Sequence, residues 1–183
     1  MKAAIFFTGK FGSTQQYAQW LGEATGLPVF DLRENPPEPW HYDLLILGTS
    51  IIVGKPTIAR WMKKHWAMLW GRNILLYSVS GTAPGHPDLQ TWMQRHLGEE
   101  ILSQVKYIPL RGRLDPGELP WILRTMLRLA ARASRDPEVK RRMSAGFDYM
   151  DRNSLKPILA WYAAQTRPPA AKVREPEGEA VPA

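Results

Sequence analysis

Strand-like and helix-like patterns alternate along this chain, and the alternation predicts an α/β protein whose parallel sheet is covered by helices on both faces. Two further observations agree. The stretch Asp43-Leu44-Leu45-Ile46-Leu47-Gly48 is the near-continuous apolar run of a strand buried on both sides. A second apolar run, 3–7, passes at once into Thr8-Gly9-Lys10-Phe11-Gly12-Ser13-Thr14, and then into a helical pattern with apolar Tyr17, Ala18, Leu21 and Ala24.

Taken in order, residues 2–8 read as the first strand and 14–25 as its helix. A short second strand, 27–32, opens after Gly26. Three prolines between 33 and 41 predict a loop, because proline neither donates to a ladder nor continues a helix. The third strand is 43–48. Pro56 is suited to open a helix running to about residue 69, with Ile58, Trp61, Met62, His65 and Met68 on one face. Residues 73–79 form a fourth strand, 88–97 a helix closed by Gly98, and 104–110 a fifth strand. Right-handed crossovers then build a five-stranded parallel sheet. The domain is expected to span 1–165, with 111–142 a basic helical insertion. Residues 166–183, rich in Pro, Ala and charge, read as a disordered tail.

Composition narrows the function classes. A chain of 183 residues is long enough for one domain with a substantial core. No apolar run approaches the length of a membrane-spanning helix, and the start lacks the basic and apolar regions of a signal peptide, so a cytoplasmic location is expected. The absence of cysteine excludes a disulfide, a thiolate nucleophile and cysteine-held iron–sulfur or zinc. His41, His65, His86 and His96 lack metal-binding spacing, so no metal site is expected and redox chemistry falls to an organic cofactor. His86 sits in a loop, yet a lone histidine is more often structural, and no general acid or base is assigned. The net charge is +7, concentrated where Arg111, Arg113, Arg124, Arg128, Arg132, Arg135, Lys140, Arg141 and Arg142 face only four acidic residues. Such a block points to phosphates or an anionic membrane surface. Nucleic acid is not expected, because aromatic and basic residues do not interleave as in known modules.

Ligands of such sheets sit beyond the carboxyl ends of the strands. Three Gly/Ser/Thr-rich loops fall there. The first holds Thr8, Gly9, Lys10, Gly12, Ser13 and Thr14, the second Thr49, Ser50, Ile51, Ile52, Val53 and Gly54, and the third Ser78, Val79, Ser80, Gly81 and Thr82. The first is neither a Walker A nor a G-x-G-x-x-G motif, since only Gly9 and Gly12 are present. A strand ending in a glycine and hydroxyl turn before a helix is nonetheless suited to a phosphate, through unpaired N–H groups and the helix dipole. An ordinary N-capped turn has the same residue types.

The order of segments resembles the flavodoxin-like family, and within it the menaquinone-dependent protoporphyrinogen IX dehydrogenase branch. The resemblance covers about 2–163. It lies in Phe7-Thr8 with Gly12 and Thr14, Ala18, Gly48-x-Ser50-Ile51 with Gly54, Lys63-Lys64-His65, Tyr77-Ser78-Val79 and Phe147-Asp148-Tyr149-x-Asp151. It implies a three-layer α/β/α fold, non-covalent FMN held by the residues of the three loops, and an oxidoreductase that takes hydrogens from protoporphyrinogen IX and passes electrons to a quinone. The chain departs from the pattern at Gly9, where a second hydroxyl residue is usual, and at Val53, where an aromatic is usual. Two alternatives stay open: an FMN electron carrier without catalysis, and a flavodoxin-fold protein that has lost FMN.

In the basic block, Leu119, Ile122, Leu123, Met126, Leu127, Leu129 and Ala130 recur at helical spacing beside the arginines. Residues 114–134 thus describe a basic amphipathic helix suited to an anionic membrane surface, which would make the protein peripheral on the cytoplasmic face. A surface helix packed on the sheet has the same pattern. Lys10, Arg111 and Arg113 would favour an anionic reduced flavin by Coulomb attraction, raising its potential. Arg111 and Arg113 are also candidates to pair with the propionates of a tetrapyrrole substrate.

Overall fold

The computed structural model describes residues 1–117 and 145–167, with Trp121, Arg124, Thr125, Leu129 and Arg132. Its elements are β1 (Ala3–Thr8), α1 (Ser13–Thr25), β2 (Val29–Asp31), β3 (Leu44–Ile52), β4 (Lys55–Pro56), α2 (Ala59–Leu69), β5 (Asn73–Ser80), α3 (Pro87–Leu97), α4 (Glu99–Gln104) and β6 (Val105–Arg111). A two-residue ribbon, β7 (Arg113–Leu114) and β8 (Phe147–Asp148), and a helix, α5 (Lys156–Thr166), complete them. Five parallel strands run in the order β2-β1-β3-β5-β6, and β4 pairs antiparallel with β3.

Side-chain alternation along the strands divides the core between the two faces. Phe6, Leu45, Leu47 and Leu76 face one way and pack with Met62 of α2 and Met93 of α3. Ile5, Phe7, Ile46 and Tyr77 face the other way and pack with Tyr17 and Leu21 of α1 and Ile158 of α5. Each fully buried aliphatic or aromatic side chain contributes about 1.5–3 kcal/mol, so the central strands carry the largest share of the stabilisation.

Several boundaries depart from the pattern reading. The third strand does not stop at Gly48: Thr49 to Ile52 continue it, and the chain turns back through Val53-Gly54 into β4. Pro56 therefore sits in a strand opposite Ile51, and α2 begins only at Ala59. Helix α2 buries Trp66 and Leu69 with Met62, leaving Met68 43% exposed, so its apolar face is rotated from the one read by spacing. Helix α4 replaces an expected connector. Gly98, at φ 88°, ends α3 and starts α4, with Glu99 and Glu100 in a first turn where negative charge is favourable. The segment 33–41 closes with a 3-10 turn, Pro39–His41. The basic segment opens as strand β7, so Leu114 is not helical, and most of 114–134 lies outside the described residues. Thr166 belongs to α5 rather than to the tail, and 168–183 lie outside the described residues. No helix among the described residues is long and apolar enough to cross a membrane.

Candidate functional site

The first loop leaves β1 where the sheet changes direction, with β2 on one side and β3 on the other. Crevices at such switch points are where open α/β sheets hold ligands. Gly12 precedes α1 at φ 80°, a backbone that side chains other than glycine rarely adopt. Nothing lies within 4 Å of the position a Cβ would take there. The start of α1 has no side-chain cap and no acidic residue in its first turn. Lys10 is exposed beside it. A cleft of about 520 Å³ opens at this point, walled by Gly12, Ser13, Gln16 and Trp20 on one side and by Arg113 and Asp148 on the other.

The hydroxyls of Ser13 and Thr14 face inward. Thr14 Oγ1 and Ser50 Oγ share a buried hydrogen bond of 2.8 Å. Ser13 Oγ donates to the Arg113 carbonyl at 3.1 Å and accepts the Arg113 N–H at 3.0 Å. Thr49 Oγ1 accepts the Ile58 N–H at 3.1 Å and lies 3.2 Å from Thr57 Oγ1, which donates to the Thr8 carbonyl at 3.0 Å. Gly9 is buried at the centre, where a Cβ would stand 2.8 Å from Ser50 Oγ and 2.9 Å from Thr14 Cβ. Glycine is required here because the first loop and β3 approach so closely. Thr8, Gly9, Thr14, Thr49 and Ser50 thus form one interlocked group.

The second loop is the tip of the β3–β4 hairpin. Val53 (φ 49°) and Gly54 (φ 71°) both adopt left-handed backbone, as a tight two-residue turn demands. Val53 is 91% exposed, and a β-branched residue in this conformation is strained. Trp92 of α3 covers Gly54, whose Cβ would meet the indole Nε1 at 3.0 Å.

In the third loop Ser78 and Val79 are still within β5 and buried, and Ser78 Oγ bonds Tyr107 OH at 2.7 Å. Ser80 Oγ accepts the Thr82 N–H at 3.2 Å. Gly81 follows, with the Phe147 ring against it. Burial pushes the phenols of Tyr77 and Tyr107 upward from their ordinary range, and the Ser78 hydrogen bond partly opposes this at Tyr107. His86 caps α3, its Nδ1 accepting the Asp88 N–H at 3.2 Å, which is a structural role.

Arg111 and Arg113 lie at the junction of β6 and β7, and they part company. The Arg111 guanidinium stacks on Tyr149, 3.4 Å from the ring centroid, while Arg113 reaches the cleft beside Gly12. Phe147 and Tyr149 lie outside the three sequence-predicted loops, and the segment Phe147-Asp148-Tyr149-x-Asp151 carried only the family resemblance, because nothing local shows that it pairs with 113–114.

An anion is suited to this first loop through backbone N–H groups at an uncapped helix start and an open Gly12, with Lys10 and Arg113 nearby. The hydroxyls of Ser13 and Thr14 are hydrogen-bonded to the protein. Among the described residues no cluster of His, Asp or Glu could hold a metal ion.

These features define an α/β domain of flavodoxin topology. Residues 4–140 match the family described as flavodoxin domain, and the chain belongs to that family. Among solved structures, the chain is similar to the Trp repressor binding protein of Bacillus subtilis, at 16% identity over 82% of this chain and 100% of that one, with a TM-score of 0.47. It is also similar to a flavodoxin variant from Fusobacterium nucleatum bound to flavin mononucleotide, at 15% identity over 64% of this chain and 72% of that one, TM-score 0.43. A flavoprotein from Lactobacillus acidophilus NCFM in complex with FMN is 11% identical over 60% of this chain and 91% of that one, TM-score 0.43. Comparison with curated proteins found no match.

Proposed function

We propose that this chain is an FMN-dependent oxidoreductase. The observation that carries the reading is the uncapped, open start of α1 at the switch point of a flavodoxin-family sheet. Backbone N–H groups of the first loop and α1 would hold the phosphate, with Lys10 and Arg113 adding positive charge. The hairpin tip at Val53 and Gly54 and the loop beginning at Gly81 flank the end of the adjacent strands β3 and β5, where a flat ring would lie. When bound, the flavin supplies the acceptor for substrate hydrogens, and the protein contributes position and electrostatics.

Within that class we infer protoporphyrinogen IX as substrate and a quinone as electron acceptor. The resemblance noted above and the two arginines at the β6–β7 junction support this, since guanidinium pairs with carboxylate. Contact with an anionic membrane surface through 114–134 belongs to the same proposal. Trp121 (75% exposed) and Leu129 (58% exposed) support it as apolar groups left on the outside.

A second reading is favoured by one observation: Ser13, Thr14 and Ser50 already have protein partners. It is a flavodoxin-fold protein that does not retain FMN. The visible absorption spectrum, recorded before and after adding FMN and removing the excess, decides between the two. Retained flavin bands are expected, and a colourless protein under both conditions would leave the second reading. With flavin retained, an assay with porphyrinogen and quinone should show turnover. Flavin without turnover would reduce the chain to an electron carrier. Sedimentation with anionic vesicles at low salt and release as salt rises is the expected membrane result.

A further inference from the structure

Aromatic residues from other elements press on glycines at the ends of two neighbouring strands. Trp92 covers Gly54 beyond β3, and Phe147 covers Gly81 beyond β5. A Cβ on Gly81 would lie 2.5 Å from Phe147 Cζ and 3.0 and 3.2 Å from the two Cε atoms, so only glycine admits the ring at this closeness.

Phe147 is held firmly although its ribbon is only two residues on each side. Arg113 pairs with Asp148 and Leu114 with Phe147. Ribbons this short are not stable alone. Here the Gly112 N–H donates to the Ser80 carbonyl at 2.8 Å, and the Tyr149 N–H donates to the Gly112 carbonyl at 3.2 Å. Ser13 clasps both backbone groups of Arg113. Tyr17 OH donates to the Arg111 carbonyl at 2.8 Å and accepts the Asp151 N–H at 3.2 Å. The ribbon is therefore fastened to β5, β6 and α1 together.

The ring plane is fixed as well. Phe147 and Tyr149 are stacked, with centroids 5.1 Å apart and planes 18° apart, and the Arg111 guanidinium lies on Tyr149. Arg111 Nε is buried without a hydrogen-bond partner. Arg111 is half-buried, and its Nε, covered where the guanidinium lies on Tyr149, gains the attraction of the ring in place of a hydrogen bond. Phe147 ends this stack and is only half-buried.

We propose that Phe147 is the aromatic wall against which a flat, conjugated ring system binds at the end of β5. This deepens the flavin reading above and rests on it. The hairpin tip presents Val53, which has no π face, so the stacking surface comes from a ribbon remote in sequence. A ring already immobilised by Tyr149 and Arg111 loses little freedom on binding, which is how preorganised contacts gain affinity.

The test is binding of FMN and of riboflavin, followed by quenching of flavin fluorescence, with folding checked by thermal melting. Phe147→Ala is expected to weaken both ligands by about tenfold and to lessen the quenching of bound flavin. Phe147→Leu keeps apolar bulk on Gly81 and is expected to behave like the alanine variant, whereas Phe147→Tyr should restore affinity. Riboflavin lacks the phosphate, so an equal loss for both ligands places the contact on the ring. Wild-type affinity in Phe147→Ala and Phe147→Leu would overturn the proposal and leave the flavin reading standing. Tighter FMN binding by Phe147→Ala would also overturn it, by making Phe147 an occupant of the seat. No flavin binding by the unaltered chain would overturn both readings.

Discussion

The first loop and the β3–β4 hairpin tip stand at the same end of the sheet and share a vocabulary of Gly, Ser and Thr, yet they are physically opposite. In the first loop Gly9, Ser13 and Thr14 are buried, and the two hydroxyls bond the protein itself. At the hairpin tip Val53 is almost fully exposed on a left-handed backbone. One region is interlocked interior, and the other stores local strain in solvent. The lesson is that a hydroxyl-rich loop is not by itself a ligand grip. Here Ser13 and Thr14 tie α1 to β7 and β3, and what remains for an anion is the backbone at the start of α1 with the Thr8 side chain.

The sharpest challenge to the interlocked side comes from pH. Tyr77 is fully buried, donates to the Thr14 carbonyl at 3.2 Å, and has its phenol pushed upward by desolvation. A raised folded-state value means the stabilisation is whole below the unfolded phenol's value near 10 and is lost as pH rises above it. The loss should approach about 1.4 kcal/mol per pH unit for this residue. Urea midpoints measured from pH 8 to pH 12 should fall accordingly, and the slope should flatten in Tyr77→Phe. An unchanged slope in that variant would mean the phenol is not sealed behind the first loop.

Next in size is Thr14→Val. It removes one partner of the buried 2.8 Å pair and strands Ser50 Oγ, at a cost of about 2 kcal/mol. Its expected effect on FMN affinity is less than about threefold, because the hydroxyl faces Ser50 rather than the ligand. A large loss of FMN with little loss of stability would reverse the comparison and make Thr14 a phosphate ligand after all. The smallest effect is expected at the tip. Val53→Asn places a residue that tolerates left-handed backbone at φ 49° and should stabilise the fold by about 1 kcal/mol in chemical denaturation. Destabilisation would show that Val53 is held by something other than turn geometry.

Much of the architecture was legible because it depends on local pattern. The buried strands read from 3–7 and 44–47, and the helices with apolar Tyr17, Leu21 and Met62, form where periodicity places them. The misreadings have a common cause. Pro56 has the local signature of a helix opener, but it pairs across to Ile51, a partner set by the hairpin and invisible to local propensity. Helical spacing points Met68 inward, but packing selects Trp66 instead. Loop residues such as Ser50 and Thr14 carry no sign of which way their hydroxyls turn, because their partners are 36 positions apart.

By itself, then, the sequence determined the alternation of elements, the five parallel strands, and three Gly/Ser/Thr-rich segments at strand ends, since apolar periodicity and turn chemistry are written residue by residue. Only the tertiary structure decided that Ser13 and Thr14 turn their hydroxyls onto β7 and β3, that Val53 is strained at an exposed tip, and that Phe147 reaches Gly81. Each of these joins residues dozens of positions apart, and such meetings depend on how the sheet, α1 and the ribbon close on one another rather than on any local pattern.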